Sequence, residues 1–416
     1  MIIGPETRNH DQPDAAQLEP GWLARQIHAL FAEAKRRRRR RRLGMAAALL
    51  AAAVLTAGAL IGYTDSGSLG PGAAGPISHA HGQRPRFGLP AAVVAWFDAD
   101  GTLRIGNVAT LAQRPVAQLS QEPCCTLTAA GHGIYWAGRH AGRDYIREYD
   151  LATRQIRNVA SGWAVFASAG GRNLYIAQSG TRLLELPKGG SGRARRLATP
   201  PGWRVVPLPH AVADRIMVST GTRRPAIGLW RPGARKIRVV GQGQVMTTWT
   251  QPSGRAGLIA WRSDTCSHLS CPIEITSTAT HRTLTVRGPR GFGFVDQGGD
   301  AAFSPDGRTL AVFFIPLHQR PYAGFVPALV NTATGGVRLV RRALMANGEM
   351  AGWILWLPGS GRLIAGPAAD QSVPAYAIDA RNAAARPFTF FVTYHHPQSP
   401  VYDITYGAVL LPRAVR

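Results

Sequence analysis

Two patterns of hydrophobic and polar positions divide the chain. Between Leu43 and Tyr63 lie 21 residues without a charge, LGMAAALLAAAVLTAGALIGY. As a helix, this stretch reaches about 30 Å, the thickness of a bilayer's hydrocarbon core. From residue 89 onward the pattern becomes short runs of β-branched and aromatic residues separated by Gly, Pro, Asn, Asp and Thr, the mark of strands and tight turns. Residues 21–34 place Trp22, Leu23, Ile27, Leu30 and Phe31 at helical spacing behind Pro20, which predicts a short amphipathic helix. Residues 64–88 are rich in Gly, Pro and Ser and predict a linker.

The strand-rich part repeats. Its units span 93–119, 133–160, 173–198, 215–240, 257–286, 309–340 and 362–391, and each carries a turn after its second β-run, near 110, 153, 190, 233, 279, 334 and 381. A period of roughly 45 residues with several short strands per unit predicts an all-β, seven-bladed β-propeller over 89–416, with six and eight blades as rivals. A four-stranded blade cannot bury its faces alone, whereas radial stacking buries both. Residues 401–411, VYDITYGAVLL, form one further strand, expected to close the ring by pairing into the first blade.

One stretch is more specific than the period. Ala301 to Val312 reads strand, tight turn, strand, with Phe303, Ser304, Pro305, Asp306 and Gly307 at its centre. Pro305 presets φ, while Asp306 and Gly307 supply a polar cap and a positive φ. The stretch resembles the FSPDG-x-x-LA signature of TolB-type and WD-repeat-like propellers. Ala211–Arg215 and Leu357–Leu363 look like degenerate copies of it. The resemblance implies a propeller that serves as a protein- or ligand-binding platform, a fold that does not fix function. The basic run, single anchor and exported propeller together also look like actinobacterial membrane proteins.

Charge decides the orientation. Lys35, Arg36, Arg37, Arg38, Arg39, Arg40, Arg41 and Arg42 form an unbroken basic run directly before the apolar stretch. By the positive-inside rule residues 1–42 stay cytoplasmic, 43–63 span the cell membrane, and everything after 64 is exported. A retained signal anchor is the first reading. A cleaved signal peptide, processed near Gly72-Ala73-Ala74, is the second, and a soluble core helix the third. The whole chain carries 48 basic and 23 acidic residues, a net +25, almost all of the positive charge being arginine. Such a surface attracts nucleic acid, anionic lipid or anionic wall polymer. The exported topology argues against nucleic acid, and a coding bias toward arginine accounts for the same numbers.

The four cysteines, Cys124, Cys125, Cys266 and Cys271, all fall in the exported part. An even count in an oxidising compartment suggests disulfides. Cys266 and Cys271 flank one hairpin loop and are expected to pair. Cys124 and Cys125 form a vicinal bond, pair elsewhere or stay reduced. Neither pair has zinc-type C-x-x-C spacing. The histidines His79, His81, His395 and His396 have no neighbouring ligands in sequence and read as loop residues.

No G-x-S-x-G elbow, P-loop or H-E-x-x-H occurs, so no cofactor, metal or enzyme is expected. The function these features suggest is a membrane-anchored, extracytoplasmic module that binds a protein or an envelope polymer and possesses, in a sensory version, a cytoplasmic partner at 21–34. The alternative is a glycan-processing envelope enzyme with carboxylates at the propeller channel. Asp144, Asp150, Asp296, Asp300 and Asp306 are its candidates, each of which also reads as a turn or cap residue.

Overall fold

The structure is a computed structural model. It describes residues 89–411 except 98–100, 119–122, 141–142, 169–170, 188–191, 209–210, 213, 223, 255, 264–270, 295–300, 318–324, 341–352, 360, 367–374 and 389–407. The amphipathic segment, basic run, apolar stretch and linker lie outside these residues. The chain divides into units Met1–His81 and Gly82–Arg416, and all described residues belong to the second. No helix among them is long and apolar enough to cross a membrane.

The described residues form antiparallel sheets built from consecutive strands. The first contains β1 (Val93–Phe97), β2 (Thr102–Asn107) and β3 (Gln113–Gln118). The second runs β4 (Pro123–Ala130), β5 (Gly133–His140), β6 (Arg143–Asp150), β7 (Ile156–Ser161). The third runs β8 (Ala164–Ala167), β9 (Asn173–Ala177), β10 (Arg182–Pro187), β11 (Arg195–Ala198).

A seven-stranded sheet follows: β12 (Trp203–Val205), β13 (Ile216–Thr220), β14 (Ala226–Trp230), β15 (Ile237–Thr250), β16 (Gly257–Ser263), β17 (Ile273–Ser277), β18 (Thr283–Val286). The next sheet holds β19 (Phe292–Phe294) and β20 (Ala302–Phe303), both pairing β21 (Thr309–Pro316), then β22 (Val326–Asn331) and β23 (Val337–Leu339). The last run is β24 (Trp353–Trp356), β25 (Arg362–Gly366), β26 (Ala375–Asp379), β27 (Ala384–Phe388). Finally β28 (Ala408–Leu410) returns to the first sheet, pairing Val94 with Leu410 and Ala95 with Val409. This is the closure expected of the C-terminal strand; residues 401–407 of that segment lie outside the described residues.

The seven-stranded sheet departs from the separate units read in the sequence. β15 is 14 residues long: its first half pairs β14 and its second half pairs β16. Residues 241–250, between the fourth and fifth repeats, continue the strand through Gly241 and Gly243, so one strand serves both. The pairing shifts register at Val240 on the β14 side and at Met246 on the β16 side; between them Gly243, with a φ of 151°, leaves no room for a side chain, since a Cβ would sit 1.8 Å from the Arg262 carbonyl oxygen.

Strand periodicity explains the packing. Successive residues point to opposite faces, so a strand buried on both sides divides its side chains between two cores. In β1, Val94 and Trp96 pack with Leu355, Ile364 and Phe388, while Ala95 and Phe97 pack with Ile134, Trp136 and Tyr149. In β21, Leu310, Val312 and Phe314 join Ile273 and Val286, while Ala311, Phe313 and Ile315 join Trp356 and Leu363. β5, β9, β13 and β16 behave alike, with Ile134, Tyr175, Met217 and Ala260 each in a different core from the residue beside it. Each apolar cluster lies between consecutive four-strand groups along the chain, and the last joins β24–β27 to β1. The strand order and the cyclic sequence of cores are those of a β-propeller.

Five of the turns at the predicted places, near 110, 153, 279, 334 and 381, share one geometry. Asn107, Asp150 and Asn331 accept backbone N–H bonds from the residues two and three ahead of them. Four residues further on than each cap the backbone turns left-handed, at Leu111, Arg154 and Gly335; His281 and Ala383 hold the same place after Ser277 and Asp379. All the non-glycine residues of positive φ among the described residues sit at this position.

Candidate functional site

Residues 304–307 form a braced turn. Gly307 N–H bonds the Ser304 carbonyl at 2.8 Å, and Ser304 N–H bonds the Thr309 carbonyl at 2.8 Å. The fully buried Ser304 hydroxyl donates to Asp306 Oδ1 at 2.6 Å and accepts from Thr309 N–H at 3.0 Å. Burial pushes the Asp306 carboxyl up. The Ser304 hydroxyl and the Arg308 N–H push it down and prevail, leaving it below the usual carboxylate range. Pro305 offers its carbonyl to the Trp249 indole N–H, and Thr332 Oγ1 donates to the Gly307 carbonyl. The turn therefore clamps three neighbouring segments together. Of the two degenerate copies, the second shares its closing bond, Leu357 N–H to the Arg362 carbonyl at 2.9 Å, whereas Val212 N–H bonds the Arg215 carbonyl three residues on.

Of the carboxylates proposed for a channel, Asp144, Asp150 and Asp306 belong to the described residues, and each is held locally. Asp144 and Asp150 stand at opposite ends of β6, about 20 Å apart at the rise of an extended strand. Asp150 caps its turn through the N–H groups of Thr153 and Ala152, which hold its carboxyl below the usual range. Asp306 braces a turn in another sheet. Asp296 and Asp300 lie outside the described residues, as do His79, His81, His395 and His396.

Sequence reasoning missed two buried glutamates. On the second sheet, Tyr135, Glu148 and Arg157 face one another across β5, β6 and β7. The Tyr135 hydroxyl donates to Glu148 Oε1 at 2.8 Å, and Arg157 Nε donates to Oε2 at 2.5 Å. On the third sheet, Tyr175, Glu185 and Arg195 repeat the register across β9, β10 and β11. There the hydroxyl stands 3.3 Å from Glu185 Oε1, joined by Asn173 Nδ2 at 3.0 Å, and Arg195 Nε lies 2.7 Å from Oε2. Both carboxylates are buried while both arginines reach solvent. Burial, together with the adjacent carboxylate, drives the two tyrosine hydroxyls upward in pKa. The available signal was the spacing of a Tyr, a Glu and an Arg within two consecutive repeats.

The same outer-strand register carries Arg114, Arg238, Arg338 and Arg386 in other sheets. Arg238 Nη1 donates to the Thr278 carbonyl and Arg338 to the carbonyls of Ala380 and Arg381, so each bonds a turn of the following repeat.

Cys271 is buried, and Cys266, the partner expected for it, lies outside the described residues. The backbone of Cys124 and Cys125 belongs to β4, beside a register shift. No group of metal-ligating side chains occurs among the described residues.

The strand topology defines an all-β chain of propeller type. Solved structures similar to the chain include TolB-type and WD-repeat-like propellers. TolB from Acinetobacter baumannii is 12% identical, with a TM-score of 0.41, over 64% of this chain and 66% of TolB. An oligogalacturonate lyase in complex with manganese is 10% identical, with a TM-score of 0.49, over 72% and 84%. The Cps50 (Swd1) β-propeller domain of Myceliophteria thermophila is 14% identical, with a TM-score of 0.44, over 67% and 93%. No protein-family model matches the chain, and no curated protein matches its sequence.

Proposed function

We propose that the chain is a single-span membrane protein with residues 1–42 in the cytoplasm, 43–63 in the bilayer and 64–88 as linker. Residues 89–416 form a seven-bladed propeller outside, a binding module with no chemistry of its own. The count of seven is supported by the cyclic order of the apolar clusters, with β15 shared between the fourth and fifth blades. The orientation rests on the basic run ahead of an apolar 21-residue stretch.

One observation carries the choice of binding over catalysis. Every acidic side chain among the described residues is engaged by the protein itself. Glu148, Asp150, Glu185 and Asp306 have the partners given above. Asp214 pairs with Arg215 and Arg231, Glu274 accepts from Thr285, Asp379 accepts from the Arg381 N–H, and Asp144 is likewise not free. These local roles favour binding for the described carboxylates; Asp296 and Asp300 lie outside the described residues.

Two measurements test the proposal. Protease added to intact spheroplasts should digest the propeller or its linker and spare a tag at residue 1; protection of the propeller overturns the topology. Trp22→Ala or Phe31→Ala should alter a cellular response while purified residues 64–416 turn over no wall glycan. Turnover abolished by substituting Asp296 or Asp300 would establish the enzyme instead.

A further inference from the structure

The strand order sorts the connections between two ends of the propeller. In each antiparallel run of four strands the first and third connections open at one end, and the second opens at the other with the crossing to the next run. Neighbouring runs are aligned: Arg238 Nη1 reaches the Thr278 carbonyl, Arg338 the Ala380 carbonyl, and Ala211 N–H the Ala167 carbonyl, each at the end of the first and third connections.

Charge is divided unequally between these ends. Along the sequence, the first and third connections contain twelve basic residues and two acidic ones, Asp214 and Asp306. The connections at the other end contain seven of each. Residues 295–301 belong to neither count, since they lie between two stretches that both pair β21. A bias in composition would load both ends alike. Arg154, Arg193, Arg235, Lys236, Arg282 and Arg381 are all exposed, and they stand on the β6–β7, β10–β11, β14–β15, β17–β18 and β26–β27 turns. No ion pair of these six occurs among the described residues. Asp150 and Asp379, which precede two of the turns, direct their oxygens to turn N–H groups. Spread over five turns, the surplus charge suits an extended anionic surface better than a compact ligand.

The chain joins the propeller at this same basic end. The Ala92 carbonyl, just before β1, accepts the Val108 N–H of the β2–β3 turn, which is a third connection. In the single-span reading, the segment before residue 89 leads to the bilayer. Basic groups near a leaflet containing anionic lipid are drawn to it collectively, within a Debye length of the surface. We propose that the basic end of the propeller is a docking surface for a membrane containing anionic phospholipid. The choice of lipid over another polyanion rests on the single-span reading.

Arginine labelling tests it. Full-length protein is placed in nanodiscs of phosphatidylcholine, with or without about 30% phosphatidylglycerol, treated with phenylglyoxal and read by mass spectrometry. Labelling of Arg154, Arg235 and Arg282 should fall about fivefold with phosphatidylglycerol and recover at about 0.5 M salt. Arg224, Arg287 and Arg290, exposed at the other end, should label equally in both lipids. Combining Arg235→Gln with Lys236→Gln should return Arg154 and Arg282 about halfway to their labelling in phosphatidylcholine. Indifference to lipid charge, or equal protection at both ends, would overturn the surface. Stronger protection of the same arginines by a single-stranded oligonucleotide would overturn lipid as its occupant. Failure of the protein to insert into discs would overturn the single-span reading instead. Vesicles of the same composition then test the surface by the same labelling, and protection there leaves it standing.

Discussion

The indole N–H of Trp249 bonds the carbonyl of Pro305 at 3.1 Å, across 56 positions of sequence. The ring also lies against Gly307, where a Cβ would come within 2.8 Å of three of its atoms, and the Gly307 φ is +71°. The turn thus needs glycine twice, for its left-handed backbone and for the tryptophan pressed on it. Gly307→Ala should lower stability by about 2 kcal/mol. Trp249→Phe, losing the hydrogen bond but keeping an aromatic ring, should cost about 1 kcal/mol. Urea unfolding midpoints measure both, and equal costs would remove the steric part of the argument.

Closure of the first sheet rests on three paired residues. Leu411 N–H bonds the Val93 carbonyl, so by strand alternation the Val409 N–H also points toward β1. Val409→Pro should therefore cost about 3 kcal/mol or more. Thermal unfolding within about 2 °C of wild type would show that the ring does not depend on this strand.

Glu148 is buried between a tyrosine hydroxyl and an arginine. Glu148→Ala strands the buried hydroxyl of Tyr135 and should cost about 2–3 kcal/mol. Tyr135→Phe leaves Glu148 its arginine and should cost about 1 kcal/mol. The double variant should cost less than the sum, and strict additivity would show the two groups to be uncoupled.

The tyrosines also set an alkaline limit. Tyr135 and Tyr175 have pKa values raised above the ordinary value near 10, so the folded state holds their protons more tightly than the unfolded state. Their contribution is complete below about pH 10 and falls as pH rises through the folded values. Absorbance of tyrosinate should therefore rise in step with unfolding, with Tyr135→Phe moving the alkaline midpoint. Asp150 and Asp306 act in the opposite direction: their lowered values give stability above about pH 4 that disappears as pH falls through the folded values.

Arg154 is exposed and holds a φ of +60° at the place where Gly335 stands in another repeat. Arg154→Gly should raise stability by about 0.5–1 kcal/mol, since relief of left-handed strain outweighs the added freedom of the unfolded chain. A fall in the unfolding midpoint would contradict it.

The sequence by itself determined the all-β class, the places of the turns and the closing strand. These follow from short-range chemistry: Asx caps, β-branched runs and the Ser304–Gly307 turn act within a few residues and so repeat visibly. The inner strands were harder to read, because strands such as Trp203–Val205 and Phe292–Phe294 are three residues long and carry no alternation of their own. Only the tertiary structure decided that β15 serves two strand groups, since that lies in the pairing of its two halves with β14 and β16. It likewise decided that Glu148 and Glu185 are engaged by Tyr and Arg. Those relationships arise from cross-strand register, in which a shift of one residue turns every side chain to the other face, and no local pattern in the sequence records that choice.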